Sequence, residues 1–141
     1  MCIRDRGYAA APFDAQAVQA VMGSLDLLIL NAVEAEQLHQ ATGQSPAQLP
    51  VRDIIVTLGA EGCLWYGIEG QQQFEAIAVE PVDTTGAGDT FTGYVLAGLD
   101  RGMPMAQAIS LGIKAAGLMV TRLGTADVIP DLKDLQDAQL I

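Results

Sequence analysis

The stretch Asp83-Thr84-Thr85-Gly86-Ala87-Gly88-Asp89-Thr90-Phe91-Thr92-Gly93 constrains this chain more than any other. Three small residues precede an acid, and apolar residues then fall at Phe91, Tyr94, Val95 and Leu99. That spacing is helical, so Gly86, Ala87 and Gly88 are predicted to form a tight turn that opens a helix. The N–H groups of such a turn have no partner inside the helix, and the dipole there favours negative charge. A phosphate or an oxyanion suits the place. Asp89 sits in the same turn, where a carboxylate would repel a phosphate that was merely bound. It makes sense as a base that takes a proton from a hydroxyl attacking that phosphate. The plainer alternative is a first-turn acid that only complements the dipole. The whole stretch favours the base.

Two other glycine motifs do not fit. A dinucleotide-binding loop needs a third glycine three residues after the second, and Phe91 stands there. A P-loop needs Gly-Lys-Ser/Thr, and no lysine lies near the turn.

The rest of the chain reads as alternating strands and helices. Residues 13–22 and 34–42 are predicted helices, the second stopped by Gly43. Residues 25–30 and 53–57 are short apolar runs of the kind found in buried strands. Residues 63–66 and 73–79 are read as a strand pair joined through Gly67 and Gly70. Pro104 begins a helix running to about Thr121, with Met105, Ala108, Ile109, Gly112, Ala116, Met119 and Val120 on one face. Residues 122–130 are a loop and 131–138 a short helix. Strands alternating with helices imply an α/β fold with a mostly parallel sheet and helices packed on it.

Composition narrows the partners. The 141 residues carry 17 acidic against 7 basic side chains, a formal charge of -10. Nucleic acid and anionic membranes are poor partners for such a surface. Cys2 and Cys63 form no ligand cluster, and Cys63 reads as a small apolar residue in a buried strand. The absence of a disulfide framework fits a reducing cytoplasm. Half of the residues are hydrophobic and only 17% are charged, which leaves apolar surface to be covered.

Two further elements lie where α/β sheets gather ligands, beyond the carboxyl ends of strands. Asn31-Ala32-Val33-Glu34 follows the first apolar run, and Thr57-Leu58-Gly59-Ala60-Glu61-Gly62 follows the second. A carboxamide and a carboxylate three residues apart suit a phosphate and a metal-bound water, and magnesium needs few protein ligands. Read alone, Asn31 and Glu34 are better explained as a helix cap with a first-turn acid. Glycines at 59 and 62 let backbone approach a ligand, though an ordinary hairpin turn uses them too.

Residues 83–93 resemble the second signature of the PfkB carbohydrate kinases, which have the ribokinase-like fold. Asn31-Ala32-Val33-Glu34 is similar to that family's Asn-x-x-Glu element, and residues 57–62 to its Thr-Leu-Gly-x-x-Gly segment. Val120-Thr121-Arg122-Leu123-Gly124 is similar to its later nucleotide-side loop. The likeness spans about residues 25–130. Tyr94 departs from it, standing where the family usually has a small residue, and so do Ile113 and Val128.

The resemblance implies a three-layer ribokinase-like fold, of which residues 8–141 are expected to form the C-terminal portion, without the N-terminal half and lid. Residues 1–7 are expected to be a non-native leader. The implied reaction moves the γ-phosphoryl group of ATP to a sugar hydroxyl, with Asp89 as base and the amides of Gly86, Ala87 and Gly88 at the transferring group. Asn31, Glu34, Thr57, Gly59, Gly62 and Gly88 are the implied nucleotide contacts. Glu34 is expected to meet Mg2+ through water. Asp83, Thr85, Arg122 and Gly124 are the implied surroundings of a monovalent cation such as K+. The implied partners are ATP and a small sugar or related alcohol, with a homodimer as an assembly of the full-length protein. This chain by itself is expected to be inactive. Two alternatives stay open: a kinase of the same fold acting on a nucleoside or another small alcohol, and a nucleotide-binding domain without turnover.

Overall fold

A computed structural model describes residues 25–84, 86–121 and 130–140. The chain divides into two compact units, Met1–Gln73 and Phe74–Ile141.

The first unit is built on a sheet. Strand β1 (Leu27–Asn31) leads directly into helix α1 (Ala32–Thr42), and β2 (Asp53–Thr57) returns parallel to β1. Strand β3 (Cys63–Gly67) runs antiparallel to β2, and β4 (Gly70–Phe74) lies beside β3, giving the order β1-β2-β3-β4. The sheet is therefore mixed. The crossover through α1 is what a parallel β1–β2 pair requires. Leu27 to Leu30 and Ile54 to Val56 are all buried, as expected of strands covered on both faces. Leu28, Leu30, Ile54 and Val56 form one core with Leu25, Leu38, Leu49 and Val51. Burying a side chain of this size contributes roughly 1.5–3 kcal/mol.

The predicted strand over residues 73–79 is displaced. The strand is Gly70–Phe74, and residues 75–80 have no regular structure. Gln71, Gln72 and Gln73 are exposed, so the strand carries little of the apolar pattern that marks a buried one. The apolar residues just after it serve another purpose, because Ile77 occupies the space beside Gly117.

The second unit is helical. Helix α2 (Ala87–Asp100) and helix α3 (Met105–Val120) pack closely, and small residues permit the approach. A Cβ at Gly112 would lie 2.9 Å from the ring and the carbonyl oxygen of Phe91 and from Val95. Helix α3 buries Ala108, Ile109, Leu111, Gly112, Ala115 and Met119. Its buried face is thus centred on Leu111 and Ala115, whereas the predicted members Met105, Ala116 and Val120 are only half-buried. Helix α4 (Leu132–Asp137) starts from Asp131 and seats Leu135 against Leu111 and Ala115. Tyr94 packs in this cluster and donates its hydroxyl hydrogen to the carbonyl of Pro130. The predicted helix over residues 13–22 and most of the predicted loop over 122–130 lie outside the described residues.

Candidate functional site

In the first unit the parallel register sets Asn31 opposite Thr57, at the carboxyl ends of adjacent strands. Residues at such strand ends face the crevice where ligands of open α/β sheets bind. Asn31 is also the N-cap of α1. Its Oδ1 accepts the Glu34 N–H at 2.8 Å, and Glu34 Oε1 accepts the Asn31 N–H at 3.2 Å. This reciprocal cap is the reading that the pair suggests by itself. It occupies one oxygen of each side chain and leaves both residues near the surface, Asn31 exposed and Glu34 half-buried. The Thr57 hydroxyl donates to the Leu30 carbonyl at 3.3 Å, which ties the two strand ends together.

The segment after Thr57 makes a tight turn through Gly59–Glu61. Leu58 N–H donates to the Gly62 carbonyl at 2.8 Å, and Gly62 N–H donates to the Gly59 carbonyl at 3.1 Å. Gly62 has φ 94° and ψ -132°, a conformation that side-chain-bearing residues avoid. The first unit therefore gathers Asn31, Glu34, Thr57, Gly59 and Gly62 at one end of its sheet.

The second unit holds the glycine turn. Gly86 is the N-cap of α2 with φ 80° and ψ 0°, and no side chain caps this helix. The Gly86 carbonyl accepts the Thr90 N–H at 3.0 Å, so the first helical bond is formed. Ala87 N–H donates to the Thr84 carbonyl at 3.2 Å. Its amide is thus engaged, unlike the open donor that the sequence suggests. Among the described residues, no hydrogen bond takes up the amides of Gly86, Gly88 or Asp89. The Asp89 side chain is exposed in this first turn rather than folded into the interior. Gly88 is exposed too, and a Cβ there would meet nothing within 4 Å. Nothing described inside the unit requires a glycine at 88, although glycine in a helix costs about 1 kcal/mol relative to alanine.

The segment entering the turn is fixed at the end of α3. Val82 and Asp83 N–H groups both donate to the Val120 carbonyl, at 2.6 and 3.1 Å. Of the implied cation surroundings, Asp83 is placed by these bonds. Thr85, Arg122 and Gly124 lie outside the described residues.

Among the described residues there is no group of three or more His, Cys, Asp or Glu side chains able to hold a metal ion, and no helix long and apolar enough to cross a membrane. Cys63 is buried in β3, and its burial pushes the thiol up to about 11. Such a thiol is a packing group and not a nucleophile.

The sequence profile described as pfkB family carbohydrate kinase matches residues 2–132. A ribokinase of Staphylococcus aureus is 29% identical over 126 residues, which are 82% of this chain and 41% of that protein. The nucleoside kinase of Burkholderia thailandensis, solved in complex with inosine, superposes with a TM-score of 0.82 at 27% identity, covering 91% of this chain and 43% of that one. The ribokinase of Arabidopsis thaliana, solved with ribose and ATP, superposes with a TM-score of 0.72 at 29% identity, covering 84% of this chain and 42% of that one. The chain thus spans less than half the length of each of these relatives. Together with the glycine turn, the two strand-end elements and the sheet order, these matches show that the chain has the ribokinase fold and belongs to the pfkB family of carbohydrate kinases.

Proposed function

We propose that this chain carries the phosphoryl-transfer turn and a nucleotide-side strand end of an ATP-dependent kinase whose acceptor is a sugar-type hydroxyl. The observation that carries the reading is the start of α2. There an exposed carboxylate, Asp89, shares one turn with the amides of Gly88 and Asp89, which no described residue engages, and Gly86 begins the turn in the left-handed region. Family membership gives that turn its chemistry, and the ribose, inosine and ATP held by the relatives supply the substrate class.

In this reading the Asp89 carboxylate accepts the proton of the acceptor hydroxyl. The freed oxygen forms a bond to the γ-phosphorus of ATP as the bond from that phosphorus to the bridging oxygen breaks, and ADP leaves. The amides of Gly86, Gly88 and Asp89 stabilise charge on the phosphoryl oxygens, and the open space over Gly88 lets the phosphate approach the backbone. Ala87, whose amide is engaged, supplies only its small size to the turn. Separately, Asn31, Glu34, Thr57, Gly59 and Gly62 form the nucleotide-side end of the first unit.

Glu34 fits a magnesium-bound water, because its cap uses only Oε1 and the ion needs few protein ligands. Magnesium bound there would neutralise phosphate charge. Asp83 is the described residue proposed beside a monovalent cation. A homodimer and a cytoplasmic location belong to the same reading of the whole protein.

Replacing Asp89 with Asn is expected to lower turnover about 10²–10⁴-fold, the usual contribution of a general base. The measurement is ADP release by the full-length protein containing this chain, against a panel of pentoses, hexoses and nucleosides. Wild-type turnover in that variant would remove the base assignment. ATP binding without turnover on any acceptor would favour a nucleotide-binding domain instead.

A further inference from the structure

Two consecutive residues at the end of α3 hold both arms of the segment that carries Asp89. The Val120 carbonyl accepts the Val82 and Asp83 N–H groups on the entering arm. On the other arm, the Met119 side chain reaches under the turn. Its Sδ accepts the Thr90 hydroxyl, and its Cε would lie 2.9 Å from a Cβ placed on Gly86. Met119 is 2% exposed and Thr90 is 4% exposed, so solvent cannot replace either partner. Thr90 also donates its N–H to the Gly86 carbonyl at 3.0 Å. Gly86, Thr90 and Met119 thus close a small ring of contacts directly beneath the first turn of α2, with Asp89 on its outer side.

We propose that Met119 and Thr90 are positioning residues: the thioether–hydroxyl contact sets the pitch of the Gly86 turn and so the aim of Asp89 and of the Gly88 and Asp89 amides. The inference rests on the base role given to Asp89 above. A carboxylate on the surface of a helix has no packing of its own to fix it. Its direction is inherited from the turn that bears it, and the only described side chain against the underside of Gly86 is Met119. The physical consequence is large, since a misplacement of about 1 Å can cost about 10²-fold in rate.

Leucine at 119 keeps the volume and removes the acceptor, and valine at 90 keeps the shape and removes the donor. Serine at 90 keeps the donor. The amide resonances of Gly88 and Asp89, and the hydrogen-exchange rate of the residue-90 amide bonded to the Gly86 carbonyl, are read by NMR on this labelled chain, so the result does not depend on turnover. Met119→Leu and Thr90→Val are expected to shift both resonances and to speed exchange of the residue-90 amide, which the Gly86 carbonyl holds, about tenfold, a change of ~1.4 kcal/mol in local opening. Resonances of α4 should stay in place, and Thr90→Ser should recover most of the wild-type pattern. Unmoved Gly88 and Asp89 resonances in Met119→Leu overturn the proposal, as does a Thr90→Ser protein that behaves like Thr90→Val. Should Thr90→Val fail to fold, Met119→Leu decides alone.

In the full-length protein, Met119→Leu should lower kcat at least tenfold with the KM for ATP unchanged. An inactive Asp89→Asn beside a fully active Met119→Leu would sink the positioning role and leave the base role standing. A fully active Asp89→Asn would sink the base role, whatever the NMR shows.

Discussion

The starts of α1 and α2 solve one problem in opposite ways. Every helix begins with N–H groups that have no partner within it. At α1, Asn31 and Glu34 answer each other and the end is closed by side chains. Asp131 and Asp134 do the same for α4, with bonds of 2.8 and 2.9 Å. At α2 the cap is Gly86, which has no side chain to offer. Helix α3 also starts without a side-chain cap, at Pro104, but carries no acid in its first turn. Among the described α-helices, α2 alone combines an uncapped start with an exposed acid. At α1 side chains close the helix start, whereas at α2 no described residue takes up the Gly88 and Asp89 amides.

The contrast can be broken by substitution. Gly86→Ala should have the largest effect on stability. Alanine in the left-handed region costs roughly 1–2 kcal/mol, and its Cβ would meet Met119 Cε at 2.9 Å. Together these predict a loss of roughly 2–4 kcal/mol in urea unfolding. A smaller loss would mean that Met119 does not support the turn from below. Asn31→Ala removes the closed cap and should cost about 1 kcal/mol, seen as a lower urea midpoint at unchanged slope. An unchanged midpoint would show that Glu34 alone can hold the end of α1.

Gly88→Ala sharpens the comparison because stability and function should move in opposite directions. The space over Gly88 is open, so alanine should stabilise the helix by up to ~1 kcal/mol. In the full-length protein the same methyl group should obstruct an approaching phosphate and raise the KM for ATP. A stabilised variant with unchanged KM would argue that no phosphate comes near residue 88.

The smallest effect lies in the first unit. Burial raises the Cys63 thiol from 9.0 to about 11. The folded protein therefore holds this proton more tightly than the unfolded chain. Its contribution to stability is complete below pH 9 and is lost as pH rises from about 9 toward 11. Thermal melts across that window should show a decline that is shallower in Cys63→Ala.

How much of this was legible depended on what each residue packs against. Strand β2 is found where the apolar run 53–57 predicts it, because a strand buried on both faces displays its character in every residue. Gly43 ends α1 as expected, with φ 70°. Strand β4 was hidden because its glutamines face solvent, and the apolar stretch mistaken for it fills the space at Gly117. The turn at 86–89 was legible from its small residues and acid. The engagement of Ala87 N–H by Thr84 was not, since a single backbone bond leaves no mark on composition. The sequence places Met119 on one face of a helix, but nothing in it joins that residue to Thr90, 29 positions earlier.

Trp65 lies on β3 in the first unit, where its indole N–H donates to the Asp53 carboxylate at 3.0 Å, with Arg52 on the other carboxylate oxygen at 3.1 Å. It is the sole tryptophan of the chain. Its fluorescence therefore reports the melting of the first unit, while far-ultraviolet dichroism also reads the described helices α2, α3 and α4 of the second. Two spectrometers can in this way ask whether the halves of the polypeptide come apart in a single cooperative event or in succession.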